Sequence, residues 1–308
     1  MRTLLKEVNG IDWFNQAVMN CRWSGPRLST ILQRAGITEN MKDKKGGWKG
    51  YVAFACYETL CQDDTWYGAG VPLSRVMDEE ADIILALEMN GEPLTAAHGA
   101  PVRALVPGIA GARSVKWLNR ITVQTVDSPN YYQTHDYKVL PYAAVDVEAA
   151  EDWWGLVPPM MDMPVNSVVG LPKSGSTFCL DADGRVEARG FAVPGGTDGP
   201  VKTVEVSGDG GNTWVKAELD FGEHDVRTEQ GRKNVKWSWC LWKARVPVAR
   251  GDCRKIVCRA VDYGGNEQTE HGIWNLRGVG YNAWGLAQDL KVHEIEVVDG
   301  NQILHSAS

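Results

Sequence analysis

No Cys-x-x-Cys pair occurs in the 308 residues, and the seven cysteines (Cys21, Cys56, Cys61, Cys179, Cys240, Cys253, Cys258) are an odd number. Zinc ligation and the disulfide framework of a small secreted domain are both poorly supported by that pattern. Cys253 and Cys258 are five positions apart, which in a strand places them on opposite faces. Free, buried thiols are the expectation. The six histidines are dispersed and make neither a zinc nor a haem pattern. No stretch approaches the roughly 20 apolar residues of a membrane span. Residues 1–20 contain Glu7 and Asp12 and lack the apolar core of a signal peptide, so no membrane partner is expected. Positive charge is also short: the formal net charge is -7, which argues against a nucleic-acid partner but leaves room for a local basic pocket.

What is present is an ordinary globular composition, 44% hydrophobic and 23% charged, with an unusual 13 tryptophans that imply large aromatic packing surfaces. The length fits two domains. Residues 27–36 carry Leu28, Ile31, Leu32 and Ala35 at helical spacing and stop at Gly36. Tyr51 to Phe54, 102–107 and 121–126 read as strands, residues 72–77 as a helical turn, and Asn90-Gly91 as a turn. The absence of a βαβ rhythm predicts an α+β first domain. Residues 150–166, with Trp153-Trp154 and Pro158-Pro159, read as a connection. Beyond it, short strands are expected at 186–193, 201–207, 213–219, 236–247 and 255–262, the spacing of an all-β, Ig-like sandwich. Trp237-Ser-Trp-Cys-Leu-Trp242 places large aromatics in alternation on one expected strand, in the core or at an interface.

The chemistry concentrates around residue 110. An apolar run, 102–107, opens into a Gly-rich turn that carries Arg113, Ser114 and Lys116, with His98 and Arg103 just upstream. Guanidinium forks, an ammonium and Gly-rich backbone N–H groups suit a phosphate or other anion; a surface salt-bridge network is the competing reading. Tyr137, flanked by Asp136 and Lys138, fits a proton donor or an orienting hydrogen-bonder as well as simple packing. Arg277, in Trp274-Asn-Leu-Arg-Gly278, is placed either to reach out of its domain or to make an exposed salt bridge.

The chain resembles the sulfite oxidase family of molybdenum-cofactor enzymes. The likeness lies in Asn20-Cys-Arg-Trp-Ser-Gly25, His98-Gly-Ala-Pro-Val-Arg103, Val106-Pro-Gly-Ile-Ala-Gly-Ala-Arg-Ser-Val-Lys-Trp117, Asp136-Tyr-Lys138, Met163-Pro-Val-Asn-Ser167, Ser207-Gly-Asp-Gly-Gly-Asn-Thr-Trp214, Ala260-Val-Asp262 and Trp274-Asn-Leu-Arg-Gly278. The resemblance implies a partial molybdopterin-binding domain over 1–160 and an Ig-like dimerisation domain over 161–300 that makes a homodimer. It implies His98, Arg103, Ser114 and Lys116 around the pterin and its phosphate. It places Trp13, Tyr137 and Arg277 around an oxyanion pocket, with Asp136 beside Tyr137. Sulfite, oxidised to sulfate, is the implied substrate, because related nitrate reductases usually lack an arginine where Arg277 stands.

The family's molybdenum-ligating cysteine lies in a Cys-Ala-Gly-Asn-Arg-Arg run, which this sequence does not contain. The chain is expected to begin after it, and no metal ligand is assigned. Cys56 and Cys61 lie where the family has a pterin-contacting aspartate, with Glu58 the nearest match. No His-Pro-Gly-Gly motif is present, so no haem is expected and the electron acceptor is expected to be external. Three readings stay open: a piece of a sulfite-oxidase-type enzyme, a short paralogue with another reaction, or a non-catalytic remnant that still dimerises.

Overall fold

The computed structural model describes residues 5–10, 18–58 and 60–293. The chain forms two compact units. The first comprises Met1–Pro164, Gly195–Thr197 and Gly272–Tyr281; the second comprises Val165–Pro194, Asp198–His271 and the residues from Asn282 onward.

In the first unit, strand Tyr51–Cys56 is the centre of a three-stranded antiparallel sheet, flanked by Tyr67–Pro72 and Arg120–Gln124. Its Val52, Phe54 and Cys56 alternate into a core shared with Leu28 and Leu32 of the helix Leu28–Arg34. Leu28 and Leu32 are one helical turn apart, so both meet that core; burying each contributes about 1.5–3 kcal/mol. The helix ends where predicted, and Gly36 adopts φ +94°, a left-handed conformation that costs glycine nothing. Asn90 and Gly91, at φ +56° and +86°, turn Glu88–Met89 back onto Glu92–Pro93, the hairpin geometry an Asn-Gly pair favours. A second antiparallel pair, Ile84–Ala86 with Arg103–Leu105, leads into the Gly-rich turn.

The second unit is built from two sheets. One has the order Thr177–Cys179, Gly285–His293, Gly251–Asp262, Val201–Ser207, Val215–Lys216; the other Glu218–Asp220, Cys240–Pro247, Arg185–Val193, Asn166–Leu171. Cys240, Trp242, Ala244 and Val246 alternate strictly inward, the period of a half-buried strand. They share one core with Val204, Val206, Ile256, Ala260 and Leu290 of the other sheet.

Three local expectations are corrected. Residues 213–219 are not one strand: Val215–Lys216 pairs with Val201–Ser207, whereas Glu218–Asp220 pairs with Cys240–Pro247, so the chain switches sheets near Ala217. Trp237 and Trp239 precede the strand that starts at Cys240, and Trp242 alone of the three lies on it, donating its indole N–H to the Phe191 carbonyl at 3.1 Å. Nor are Trp153 and Trp154 themselves linker residues: both pack, partly buried, on Leu140, Ala144, Ala150, Trp274 and Leu276 within the first unit, whose main segment ends at Pro164, inside 150–166.

Candidate active site

The Gly-rich loop is held from below by strand pairing and from above by its own side chains. Ser114 is buried, and its Oγ accepts the Val106 N–H at 3.0 Å. Arg103 leaves the strand beside it. Its Nη1 donates to the His98 carbonyl and its Nη2 to the Ser114 carbonyl, both at 3.2 Å, with the guanidinium 4.9 Å from the Trp23 ring. His98 shares a 2.7 Å hydrogen bond with Thr95 through Nδ1. Lys116 donates to the Ala97 carbonyl at 3.0 Å and lies 4.5 Å from the Trp117 ring centroid. Backbone bonds from Trp117 to Gly99, Leu118 to Val102 and Ala104 to Val115 fasten the two loops together. The structure therefore gathers His98, Arg103, Ser114 and Lys116 into one cationic and hydroxyl-bearing cluster.

A second group forms around residues 127–137. Asn130, fully buried, donates to Asp64 at 3.0 Å and to the Trp66 carbonyl at 2.9 Å, and its Oδ1 caps the turn Tyr131–Thr134. Gln133, also buried, donates to the Gly70 carbonyl at 3.1 Å and to Asp127 at 2.8 Å. This scaffold delivers Asp136 and Tyr137 to a fixed place. Asp136 Oδ1 accepts from Arg277 Nη2 at 2.7 Å and Nε at 3.1 Å, and from the Tyr137 N–H at 2.7 Å. Arg277 also donates to the Asn9 carbonyl at 2.6 Å. Burial, then the neighbouring Asp136, pushes the Tyr137 phenol above its ordinary range, while Arg113 and Arg277 oppose the shift. Tyr137, Asp136 and Arg277 are thus brought together; Trp13 lies outside the described residues.

The sequence placed Arg113 in the anion-binding turn but did not foresee its burial, and it did not single out Tyr67. Arg113 is fully buried and donates through Nη1 to the Tyr132 carbonyl at 2.7 Å. Tyr67 Oη donates to the Ala112 carbonyl at 2.8 Å, and burial raises its pKa. The signal for Arg113 was its place in the Gly-rich turn; nothing local marks Tyr67.

The donor set fits the organic, phosphate-bearing part of a molybdenum cofactor. Arg103 Nε is a buried donor without a hydrogen-bond partner, and so are Arg113 Nε and Nη2. Such groups cost about 1–3 kcal/mol each until an acceptor arrives. The thiols fit the metal less well. Burial raises Cys61 above its ordinary range and pushes Cys240 and Cys258 up to about 12, all against the thiolate a soft metal requires. Cys56 is buried. Among the described residues, no group of three or more His, Cys, Asp or Glu is placed to hold a metal ion. A groove of about 690 Å³ runs over the second unit along Glu218–Arg227 and Leu241–Lys243. Its charges pair with one another, as Lys243 does with Glu218 and Arg227 with Asp225, so it offers an anion little.

Residues 1–132 match the family model of the oxidoreductase molybdopterin binding domain, and residues 157–288 that of the Mo-co oxidoreductase dimerisation domain. The chain is 41% identical over 289 residues to the mitochondrial sulfite oxidase of Homo sapiens, covering 92% of this chain and 48% of that protein. It is 33% identical over 288 residues to the sulfite oxidase of Arabidopsis thaliana, covering 91% of this chain and 70% of that protein. A nitrate reductase of Oryza sativa subsp. japonica matches at 36% identity, with 92% of this chain and 30% of the reductase covered. The chain thus spans about half the length of its animal relatives. The sulfane dehydrogenase SoxCD of Paracoccus pantotrophus has the same fold at a TM-score of 0.60 and 23% identity, over 87% of this chain and 62% of that one. By these sequence matches, the chain belongs to the sulfite oxidase family.

Proposed function

We propose that the protein is a molybdenum-cofactor oxidoreductase of the sulfite oxidase type, which oxidises sulfite to sulfate. The observation that carries this reading is the convergence of Arg277, Asp136 and Tyr137 in the first unit, the unit that also holds the His98–Lys116 cluster. His98, Arg103, Ser114 and Lys116 would hold the pterin and its phosphate. When bound, the cofactor supplies a two-electron oxygen-transfer centre. This chain's residues bind and orient the anion. Arg277 contributes positive charge, and its pairing with Asp136 keeps the guanidinium in one orientation. Tyr137, kept protonated by burial, donates a hydrogen bond to a substrate oxygen. Trp13 is assigned to the same oxyanion site in this reading.

The second unit is read as an Ig-like module that makes a homodimer, with the division between domains near residue 160. Its two-sheet core and its match to a dimerisation domain support that reading. A second reading, a repurposed or non-catalytic paralogue, draws on the raised thiols.

The test is molybdenum content per chain, by elemental mass spectrometry, on protein from a host that makes molybdopterin, together with sulfite-dependent reduction of ferricyanide. Near-stoichiometric metal with sulfite turnover is expected. Metal without turnover favours the repurposed paralogue, and neither metal nor pterin overturns the cofactor assignment.

A further inference from the structure

We propose that Arg113 is a positioning residue for Tyr137: its buried guanidinium, anchored on the Tyr132 carbonyl, fixes the phenol that addresses the oxyanion. This inference rests on the function proposed above.

A fully buried arginine is rare unless something pairs with it. Arg113 makes no ion pair among the described residues, and its Nε and Nη2 have no hydrogen-bond partner. What it does have is an aromatic neighbour. Its guanidinium carbon lies 5.7 Å from the Tyr137 ring centroid, within the range of a cation–π contact. The approach is fixed at both ends. Tyr67 holds the Ala112 carbonyl, one residue before Arg113, and the Tyr67 ring packs at 5.0 Å on Tyr132, whose carbonyl takes the Arg113 Nη1 hydrogen.

Tyr137 needs such a hold. Its φ is +49°, a left-handed conformation that bulky residues seldom adopt and that persists only when the surroundings over-determine it. Asp136 takes its N–H, and its carbonyl accepts the Met160 N–H at 2.9 Å. Those bonds secure the backbone but leave the ring to rotate about its side-chain torsions; Arg113 is the group that fixes the ring. An arginine serves here because it keeps its charge when buried.

The experiment is a double-mutant cycle read by calorimetric binding of sulfate, an inert oxyanion, to the full chain. Arg113→Met is expected to weaken sulfate binding about tenfold, in the range of a desolvated cation–π contact. In a Tyr137→Phe background the same change is expected to have no further effect, because positioning a ring without a hydroxyl gains nothing. Arg113→Lys is expected to recover most of the loss. Equal losses in both backgrounds, or a lysine variant as weak as the methionine one, would overturn the proposal. Should Arg113→Met not fold, the cycle runs with Arg113→Lys: its expected loss of about twofold vanishes beside Tyr137→Phe, and its persistence there refutes the positioning role. A wild-type chain that binds no sulfate, or a Tyr137→Phe variant that binds it normally, strikes instead at the function on which the proposal rests.

Discussion

Arg277 grips a single oxygen of Asp136: both Nε and Nη2 donate to Oδ1, across 141 positions of sequence. The pair is mostly shielded, with side chains 24% and 15% exposed. A charge-assisted contact of this kind is worth more than a surface ion pair, because neither partner regains full hydration when the other is removed.

Arg277→Met is therefore expected to destabilise the chain by about 1–2 kcal/mol, from the stranded carboxylate and the lost bond to the Asn9 carbonyl. Urea denaturation measures this, and sulfate affinity should fall at the same time. Unchanged stability would mean that the pair is not formed in solution.

Gly99 links the two halves of the anion cluster. Its φ is +102°, and a Cβ there would sit 2.9 Å from both Cβ and Cγ of Lys116. Gly99→Ala should displace Lys116 and lower the molybdopterin recovered per chain, read by pterin fluorescence after release. Gly36→Ala is the control: it has the same left-handed strain at φ +94° but meets nothing within 4 Å. Equal pterin loss in both variants would remove Lys116 from the cofactor site.

The Ser207–Trp214 turn gives a pH prediction. Asp209 accepts from Ser207 Oγ and Thr213 Oγ1, each at 2.6 Å, and from the Thr213 N–H at 2.9 Å. These bonds, the Ser207 hydroxyl foremost, pull its pKa down to about 2. A carboxylate depressed in the folded state stabilises fully above its unfolded value near 3.8 and loses that contribution as pH falls toward about 2. The thermal midpoint of Asp209→Asn should lie below that of the wild type at pH 7, and the gap should close between about pH 4 and pH 2. A gap that stays constant through that window would refute the assignment.

Locally encoded features were legible in the sequence. Leu28 and Leu32 announce their helix, Asn90-Gly91 its turn, and the alternation through Cys240–Pro247 its strand. Features set by distant partners were not. Alternation through 213–219 carries no mark of a change of sheet, because each half is matched to a different partner strand. The strands Asn166–Leu171 and Gly285–His293 lack a clean period, and they went unread. The grouping of His98, Arg103, Ser114 and Lys116 was visible because these residues crowd within a short stretch. The burial of Arg113 was not, since it depends on Tyr67, Tyr132 and Tyr137 closing around one turn.

The segment Gly272–Tyr281 belongs to the first unit, although the chain reaches it only after most of the second has been traversed. That ordering has a consequence for biogenesis. As the polypeptide leaves the ribosome, Asp136 and Tyr137 emerge long before the cation that pairs with Asp136. An arrested translation product ending anywhere between 165 and 271 would carry the His98–Lys116 cluster but no Arg277. The Asp136–Arg277 pair can therefore close only after most of the second unit has been synthesised.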